Sequence, residues 1–423
     1  MSRSPVRHAA GRTVPVKGPA HARHLRNHVA LRSVGMVATA VLAFVGVGGA
    51  TAAVTLAGNI SSVDAEEALG DDRPEKVVPD DPNAGTALNI VMLGSDSREG
   101  DNASIVKDGE SGARSDTTMI MHISADRSRV ELVSIPRDST VDVPACPTSS
   151  GGTTAPMSGV KFNAAFSQGY MTGDDIESGA LCVMKTIETL TDVRMDGFIV
   201  VDFSGFENMI NAVDGVELCI PQDIDAPKAN HLKLDAGVQT LDGATALQYA
   251  RVRYEIGDGS DLGRIGRQQE ILAALARKVL GQNLLTDSPK LLKFLSAVTG
   301  SMTMSSNFAS VQGLAGLAYS ARNLRPDTIA FMTVPNMYDP NNSANVIWTS
   351  EAATVWDNMN HDRPLSDAIE KPKKKKKKGT GTASPDPSAS ASAETPEPEP
   401  SPTRTREAGN EAFTGADVTS VCG

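Results

Sequence analysis

Cysteine is scarce in this chain of 423 residues: there are four, Cys146, Cys182, Cys219 and Cys422, none close to another. Structural zinc sites need close ligand pairs, so that spacing argues against one. Acid is missing altogether from residues 1–32, which carry Arg3, Arg7, Arg12, Lys17, Arg23, Arg26 and Arg32. Charge of either sign is missing from 33–63, where Val37 to Ala57 is mostly Ala, Val, Leu and Gly. No internal repeat is visible, which argues against repeat arrays. The chain as a whole is acidic, with a formal charge of −11. An acidic domain carried outside the cell argues against nucleic acid as a partner.

The uncharged run is long enough to cross a bilayer, which takes about 20 apolar residues. Its basic flank predicts an N-terminus in the cytoplasm and everything after Asp64 outside. Small residues at 49–53 would also suit a cleavable signal peptide, but the long basic leader and long apolar run favour an anchor. Export to an oxidising compartment makes two disulfides the expectation, with three connectivities open. The pairing favoured here is Cys146–Cys182, bracketing a Gly/Ser/Thr-rich insertion, and Cys219–Cys422, tying the C-terminal tail to the body.

The expected organisation is a basic cytoplasmic tail (1–32), a transmembrane helix (33–58), an acidic Pro-containing linker (59–86) and an extracellular domain (87–365). A Lys-rich, then Ser/Pro/Glu-rich disordered linker (366–410) and a tail (411–423) bearing Cys422 follow. The six lysines Lys373 to Lys378 suit either contact with anionic lipid or wall polymer, or a solubilising linker. Within the domain, strands are expected at Ala87–Leu93, Met119–Ile123, Val130–Ser134, Phe198–Val201, Val216–Ile220 and Thr328–Val334. Helices are expected at Ser178–Leu190, Phe203–Val213, Ala244–Tyr249 behind the cap Asp242, near Pro289–Val298 and Phe308–Ala321, and opening at Ser350. Residues 147–160 read as a mobile surface loop and Gly237 to Gly243 as a turn. Strands alternating with helices make this an α/β fold: an α-β-α sandwich with a mixed central sheet, preceded by one transmembrane helix. Phe206, Met209, Ile210 and Val213 form a helical stripe that reads as core, unless a lipid tail shares the space.

The stretch Ala246 to Gln269 organises the rest. Arg251 and Arg253 flank Val252, so an extended backbone would put both guanidiniums on one side. Arg264, Arg267 and Gln268 follow at i, i+3 and i+4 on a helix face that continues through Ile271, Leu272, Leu275 and Val279. Guanidinium forks match phosphate oxygens two at a time. Two cations ~6 Å apart repel by a few kcal/mol at an effective dielectric near 20, so the cluster calls for an anion. Glu255, Asp258 and Asp261 could satisfy the arginines on the surface instead, and this stretch alone leaves both readings open. Asp96, Arg114, Asp116 and Arg137 all fall at strand ends, where open α/β sheets bind ligands. Acids in such loops more often build turns.

Taken together, GSDSR, RSDTTMIMHI, SIPRDSTVDVP, KFNAAF, VDFSGFENMINAVDGVEL and ALQYARVRYEIGDGSDLGRIGRQQ, between Asn89 and Leu280, resemble the LytR-CpsA-Psr family of cell-wall glycopolymer transferases. The resemblance implies a phosphotransferase that takes a glycan from polyprenyl pyrophosphate and joins it through a phosphodiester to a hydroxyl of peptidoglycan. It implies Mg²⁺ (or Mn²⁺) held by Asp96 and Asp116, and head-group contacts from Arg114 and Arg137. It makes Arg251 and Arg253 the R-x-R pair and Arg264 and Gln268 the start of the RQQ helix, with Lys161 and Asp261 near the site. Asp261 or Asp138 would take the hydroxyl proton. The lipid tail would lie between the sheet and the helices near 178–190 and 203–213. Pyrophosphatase activity with water as acceptor, and a non-catalytic lipid-binding regulatory module, are the rival readings; retention of both acids favours chemistry.

Overall fold

The computed structural model describes residues 61–76, 85–97, 102, 113–227, 229–253, 255–256, 259–281, 294, 302–309, 316–317, 321–365, 409 and 411–417, and the account below concerns those. The expected transmembrane helix, the basic tail, the lysine run with its linker, Cys422, and most of the helices near 289–298 and 308–321 lie outside them. Among the described residues no helix is long and apolar enough to cross a membrane.

Strand β1 (Ser61–Val63) leads into a short helix, α1 (Ala65–Leu69). A meander follows: β2 (Leu88–Ser95), β3 (Ser115–Ile123) and β4 (Val130–Ile135). A side pair, β5 (Thr140–Val143) and β6 (Met157–Lys161), then hands the chain to helices α2 (Ala164–Gly173) and α3 (Ile176–Thr191). Next come β7 (Gly197–Val201), α4 (Phe203–Ala212), β8 (Val216–Ile220), β9 (Ile224–Ala226), β10 (Leu232–Leu234) and β11 (Gly237–Leu241). Helices α5 (Gly243–Arg251) and α6 (Asp261–Gly281) precede β12 (Met302–Ser305) and β13 (Ile329–Thr333). A hairpin of β14 (Asn336–Asp339) and β15 (Asn342–Trp348), helix α7 (Ser350–Asn360) and β16 (Phe413–Thr414) complete the domain.

Eight strands form one sheet in the order β1-β12-β7-β2-β3-β4-β13-β16. It is mixed: β2 runs parallel to β7 and β4 to β13, whereas the β2–β3–β4 meander is antiparallel. Both faces are buried, as alternation along each strand requires. Val91, Leu93, Ile120, Val133 and Ile135 point to a layer holding Phe166, Leu181, Met184, Ile187 and Trp356. Ile90, Met119 and Leu132 point the other way, toward Ile210, Val216, Tyr249, Ile271 and Leu275. The α-β-α sandwich is thus built, with α2, α3 and α7 on one face and α4, α5 and α6 on the other.

Aspartates start three of these helices, α3, α4 and α5. Asp175, Asp202 and Asp242 each accept a backbone N–H in the first turn, from Ser178, Gly205 and Thr245 at 2.6, 2.7 and 2.8 Å. Gly215 ends the turn after α4 at φ +83, its N–H reaching Ile210 O at 3.0 Å, and a Cβ there would stand 2.8 Å from Leu241 O.

Four sequence expectations change. Residues 61–76 are not a bare linker: β1 pairs in parallel with β12, and the Arg73 guanidinium binds Glu188 at 2.6 Å and Met195 O at 2.6 Å. Residues 147–160 are ordered, because Thr154 N–H donates to Cys146 O at 2.8 Å, Thr148 N–H to Gly152 O at 2.9 Å, and the segment runs into β6. Gly237 to Leu241 is a strand rather than a turn, since β8 takes it as antiparallel partner along its full length. The β14–β15 hairpin is an addition to the expected strands: its only apolar run is the short Val346-Ile347-Trp348, and contacts distant in sequence hold it, Val346 N–H on Asp138 O and Trp348 Nε1 on Ser139 Oγ. Cys146 and Cys182 are bonded as expected, and Cys219 is also in a disulfide, its expected partner lying outside the described residues.

Candidate active site

The meander brings the site's acids together. β2 ends at a bulge, beyond which Asp96 and Arg114 exchange backbone contacts: Asp96 N–H donates to Arg114 O at 3.0 Å and Arg114 N–H to Asp96 Oδ1 at 2.5 Å. Asp116 is the second residue of β3, so register places it beside that turn, and both carboxylates line one cavity of about 260 Å³. Arg114 is exposed at the start of β3 and acts on Asp116 through space.

A salt-bridged cluster backs this cavity. Arg137, just past β4, puts Nη1 2.6 Å from Asp116 and Nε 3.2 Å from Asp261. Arg264, one turn into α6, puts Nη2 2.6 Å from Asp261, donates to Asp116 O at 3.0 Å and leaves Nη1 3.7 Å from the Asp116 carboxylate. Burial favours protonation of Asp116, but Arg137 and Arg264 outweigh it and hold the carboxyl below its ordinary value. For Asp261 the balance reverses: burial pushes it up against the same two arginines. Neither Asp261 oxygen has a hydrogen-bond donor in good geometry, although Arg264 lies 2.6 Å away. Asp261 therefore does neutralise arginines, but inside the domain and not on its surface.

Arg267, Gln268 and Gln269, consecutive on α6, each face a different way. Gln268 lines the cavity with a buried Oε1 that has no hydrogen-bond partner. Gln269 fastens the helix to the sheet by donating to Ser134 Oγ at 2.8 Å and Met332 O at 3.0 Å. Arg267, expected to share the anion-facing stripe, is instead buried with Nη2 on the carbonyl of Val252.

That contact holds the R-x-R segment, and its shape departs from the extended arm expected from sequence. Arg251 is the last residue of α5, and Val252 turns to φ −57, ψ 132. Arg251 stacks 4.4 Å from the Phe203 ring centroid and lines the cavity of Asp96 and Asp116. Arg253 donates from Nε to Gly259 O at 3.3 Å and lines a second cavity. Lys161 also stands away from the first cavity, donating to Asp138 Oδ1 at 2.5 Å.

The rest of the first cavity is apolar. Met92 and Met119 come from the sheet, Phe206 and Met209 from α4, Leu247 from α5, and Ile271 and Leu272 from α6. Of the two helices expected to wall the slot, the one at 203–213 does so, whereas α3, the one at 178–190, packs under the opposite side of the sheet. The stripe is divided between its two readings: Phe206 and Met209 are cavity walls, and Ile210 and Val213 are core. A hydrophobic stripe looks the same in sequence in either setting.

The chain is an α/β sandwich in which a cluster of arginines and carboxylates adjoins a largely apolar cavity. The chain belongs to the LytR_cpsA_psr family, which matches it over residues 52–361. It is 29% identical over 273 residues to the cell wall biosynthesis protein LcpA of Corynebacterium glutamicum, covering 61% of this chain and 52% of that protein. It is 30% identical over 211 residues to the polyisoprenyl-teichoic acid–peptidoglycan teichoic acid transferase TagV of Bacillus subtilis, covering 49% of this chain and 48% of that one. The matches thus span about half the length of these curated relatives. The fold is shared with a crystallised Streptococcus agalactiae protein at TM-score 0.50 and 22% identity, over 66% of this chain and 88% of that one.

Proposed function

We propose that this chain is a membrane-anchored extracellular phosphotransferase that moves a glycopolymer from a polyprenyl-pyrophosphate carrier onto a peptidoglycan hydroxyl. One observation carries the reading: a largely apolar cavity whose polar lining gathers Asp96, Asp116, Arg251, Arg264 and Gln268. Such a cavity suits a ligand with a hydrocarbon tail and a multiply charged head. The relatives named for transferring teichoic acid from a polyisoprenyl carrier to peptidoglycan support the same chemistry.

Cleaving a pyrophosphate needs little covalent help and much neutralisation of developing charge. Arg251 and Arg264 supply fixed cations there, and Gln268 offers its amide. Asp96 and Asp116 fit Mg²⁺ (or Mn²⁺), which binds through one or two carboxylates plus phosphate oxygens and waters. Among the described residues no group of three His, Cys, Asp or Glu could hold an ion alone, so substrate oxygens would complete the set. When bound, the ion would neutralise charge on the leaving phosphate.

The acceptor hydroxyl must lose its proton as its oxygen attacks phosphorus. Between the two candidate acids, Asp138 is bridged by Lys161 at 2.5 Å. Asp261 has no donor in hydrogen-bonding geometry and a carboxyl raised by burial, both of which suit a proton acceptor. Asp261 takes that role here. Arg137, clamped between Asp116 and Asp261, keeps the metal-binding acid and the base in fixed relation.

The test uses the full chain in detergent with lipid-linked glycan, peptidoglycan and Mg²⁺. The expected products are a new phosphodiester, read by phosphorus NMR, and free polyprenyl phosphate, both abolished by chelator. Release of polyprenyl phosphate and a glycan phosphate without a phosphodiester would make the protein a pyrophosphatase. Binding without turnover would make it a lipid-holding module.

A further inference from the structure

The second cavity, about 360 Å³, shares no lining residue with the first. Its character differs. Asp138, Arg253, Ser260 and Asp261 line one side, and the β14–β15 hairpin faces them with Tyr338 and Ser343. The hairpin is pinned beside Asp138, with Val346 N–H on Asp138 O at 3.0 Å and Trp348 Nε1 on Ser139 Oγ at 3.2 Å. Tyr338 is 52% exposed, and with its neighbour Met337 it accounts for two of the four large apolar side chains exposed among the described residues. An aromatic face left bare at a polar rim offers an apolar surface at one end and a wet one at the other. Sugar rings present the matching chemistry, apolar C–H faces edged by hydroxyls. Asp261, more than nine-tenths buried, lines the same cavity with both oxygens lacking a donor in hydrogen-bonding geometry.

We infer that this cavity is the acceptor site, taking a hydroxylated sugar chain of the wall polymer with one ring against Tyr338 and one hydroxyl toward Asp261. The inference rests on the phosphotransferase reading and adds to it where the second substrate sits. Displacement at phosphorus is in line, the attacking and leaving oxygens on opposite sides. The lipid phosphate leaves on the side of the apolar cavity, so the nucleophile must come from the other side of the Asp116–Arg137–Asp261 cluster. The second cavity opens there. The acceptor oxygen forms a bond to the glycan-bearing phosphorus while the bond to the polyprenyl phosphate oxygen breaks. The electron pair departs with polyprenyl phosphate, and the hydroxyl proton passes to Asp261. Arg253 thereby belongs to the acceptor side and Arg251 to the donor side.

The experiment compares the full chain in detergent with Y338A and Y338F. Binding of a soluble tetrasaccharide fragment of peptidoglycan is followed by saturation-transfer NMR, and transfer kinetics are measured with lipid-linked glycan. Y338A is expected to weaken fragment binding and raise the acceptor KM about tenfold, with the donor KM unchanged, while Y338F keeps both. Unchanged fragment binding and acceptor KM in Y338A would overturn the assignment. So would a rise in donor KM instead, which would make the cavity a seat for the donor's own glycan. If the wild type neither transfers the glycan nor releases polyprenyl phosphate, the transferase reading fails, and the binding arm still decides what the cavity holds.

Discussion

Arg251 and Arg253 stand one residue apart and serve different cavities, so their replacements should fail differently. Charge-assisted hydrogen bonds are worth roughly 1.5–3 kcal/mol, or about 10- to 150-fold in affinity. R251A is expected to lose donor affinity by about that factor with an unchanged circular dichroism spectrum; wild-type donor binding would count against the site. R253A is expected to leave the donor KM alone and lower transfer to peptidoglycan. Asp261 makes a pH prediction. A base must be ionised to accept a proton, and burial lifts this carboxyl above its ordinary value. Transfer should therefore fall as pH drops through an apparent pKa above the roughly 3.9 of a free aspartate. D261N should abolish transfer, whereas D138N should keep the same acid limb; a limb that vanished only in D138N would exchange their roles. The residue types at this site were legible in sequence, because arginines and acids at strand ends signal anion chemistry. Their directions were not: Arg267 looked like a ligand contact and proves to be a clamp on Val252.

At the scale of elements, α6 links the site to the body. Its first turns supply Asp261, Arg264 and Gln268, while Gln269 bonds to the sheet and Ile271 and Leu275 pack in the core. The Cys146–Cys182 disulfide fixes the opposite layer, joining the insertion to α3 across a separation of 36 residues. Closing a loop of that length is worth roughly 3–4 kcal/mol on the chain-entropy model. C146A/C182A should lower the urea-unfolding free energy by about that amount, and it should do so with little loss of transfer below the melting range, since the bond lies on the face away from the cavity. Loss of transfer in a variant still folded would argue for a direct link between the two faces. Most strands and helices were visible from period and caps, Asp242 among them. The β14–β15 hairpin and β11 were not, because their short, mixed sequences take their shape from the strands and loops they pair with.

Across the molecule, the sheet is closed by segments from both ends of the domain. β1 pairs at one edge and β16 at the other, where Phe413 stacks on Phe331 with centroids 5.2 Å apart. Without β16, strand β13 would present unpaired backbone groups, the usual seed of edge-to-edge association. F413A should cost about 3 kcal/mol in urea unfolding, the lower end for a truncated buried Phe. A chain cut before residue 409 should also self-associate in light scattering; a stable, monodisperse truncation would show that the tail does not protect this edge.

The chemical inventory and the fold class are written in the amino-acid order alone: which residues are charged, which segments are apolar, and that strands and helices alternate toward an α/β sandwich. Those properties are local, set by side-chain type and by periods of two and 3.6 residues. The tertiary structure decided which cavity each arginine faces, which helices wall the apolar slot, and that the insertion and the last strand are built into the body. Those outcomes depend on register and on contacts between segments tens to hundreds of residues apart, where shifting a strand by one residue reverses every side chain it carries.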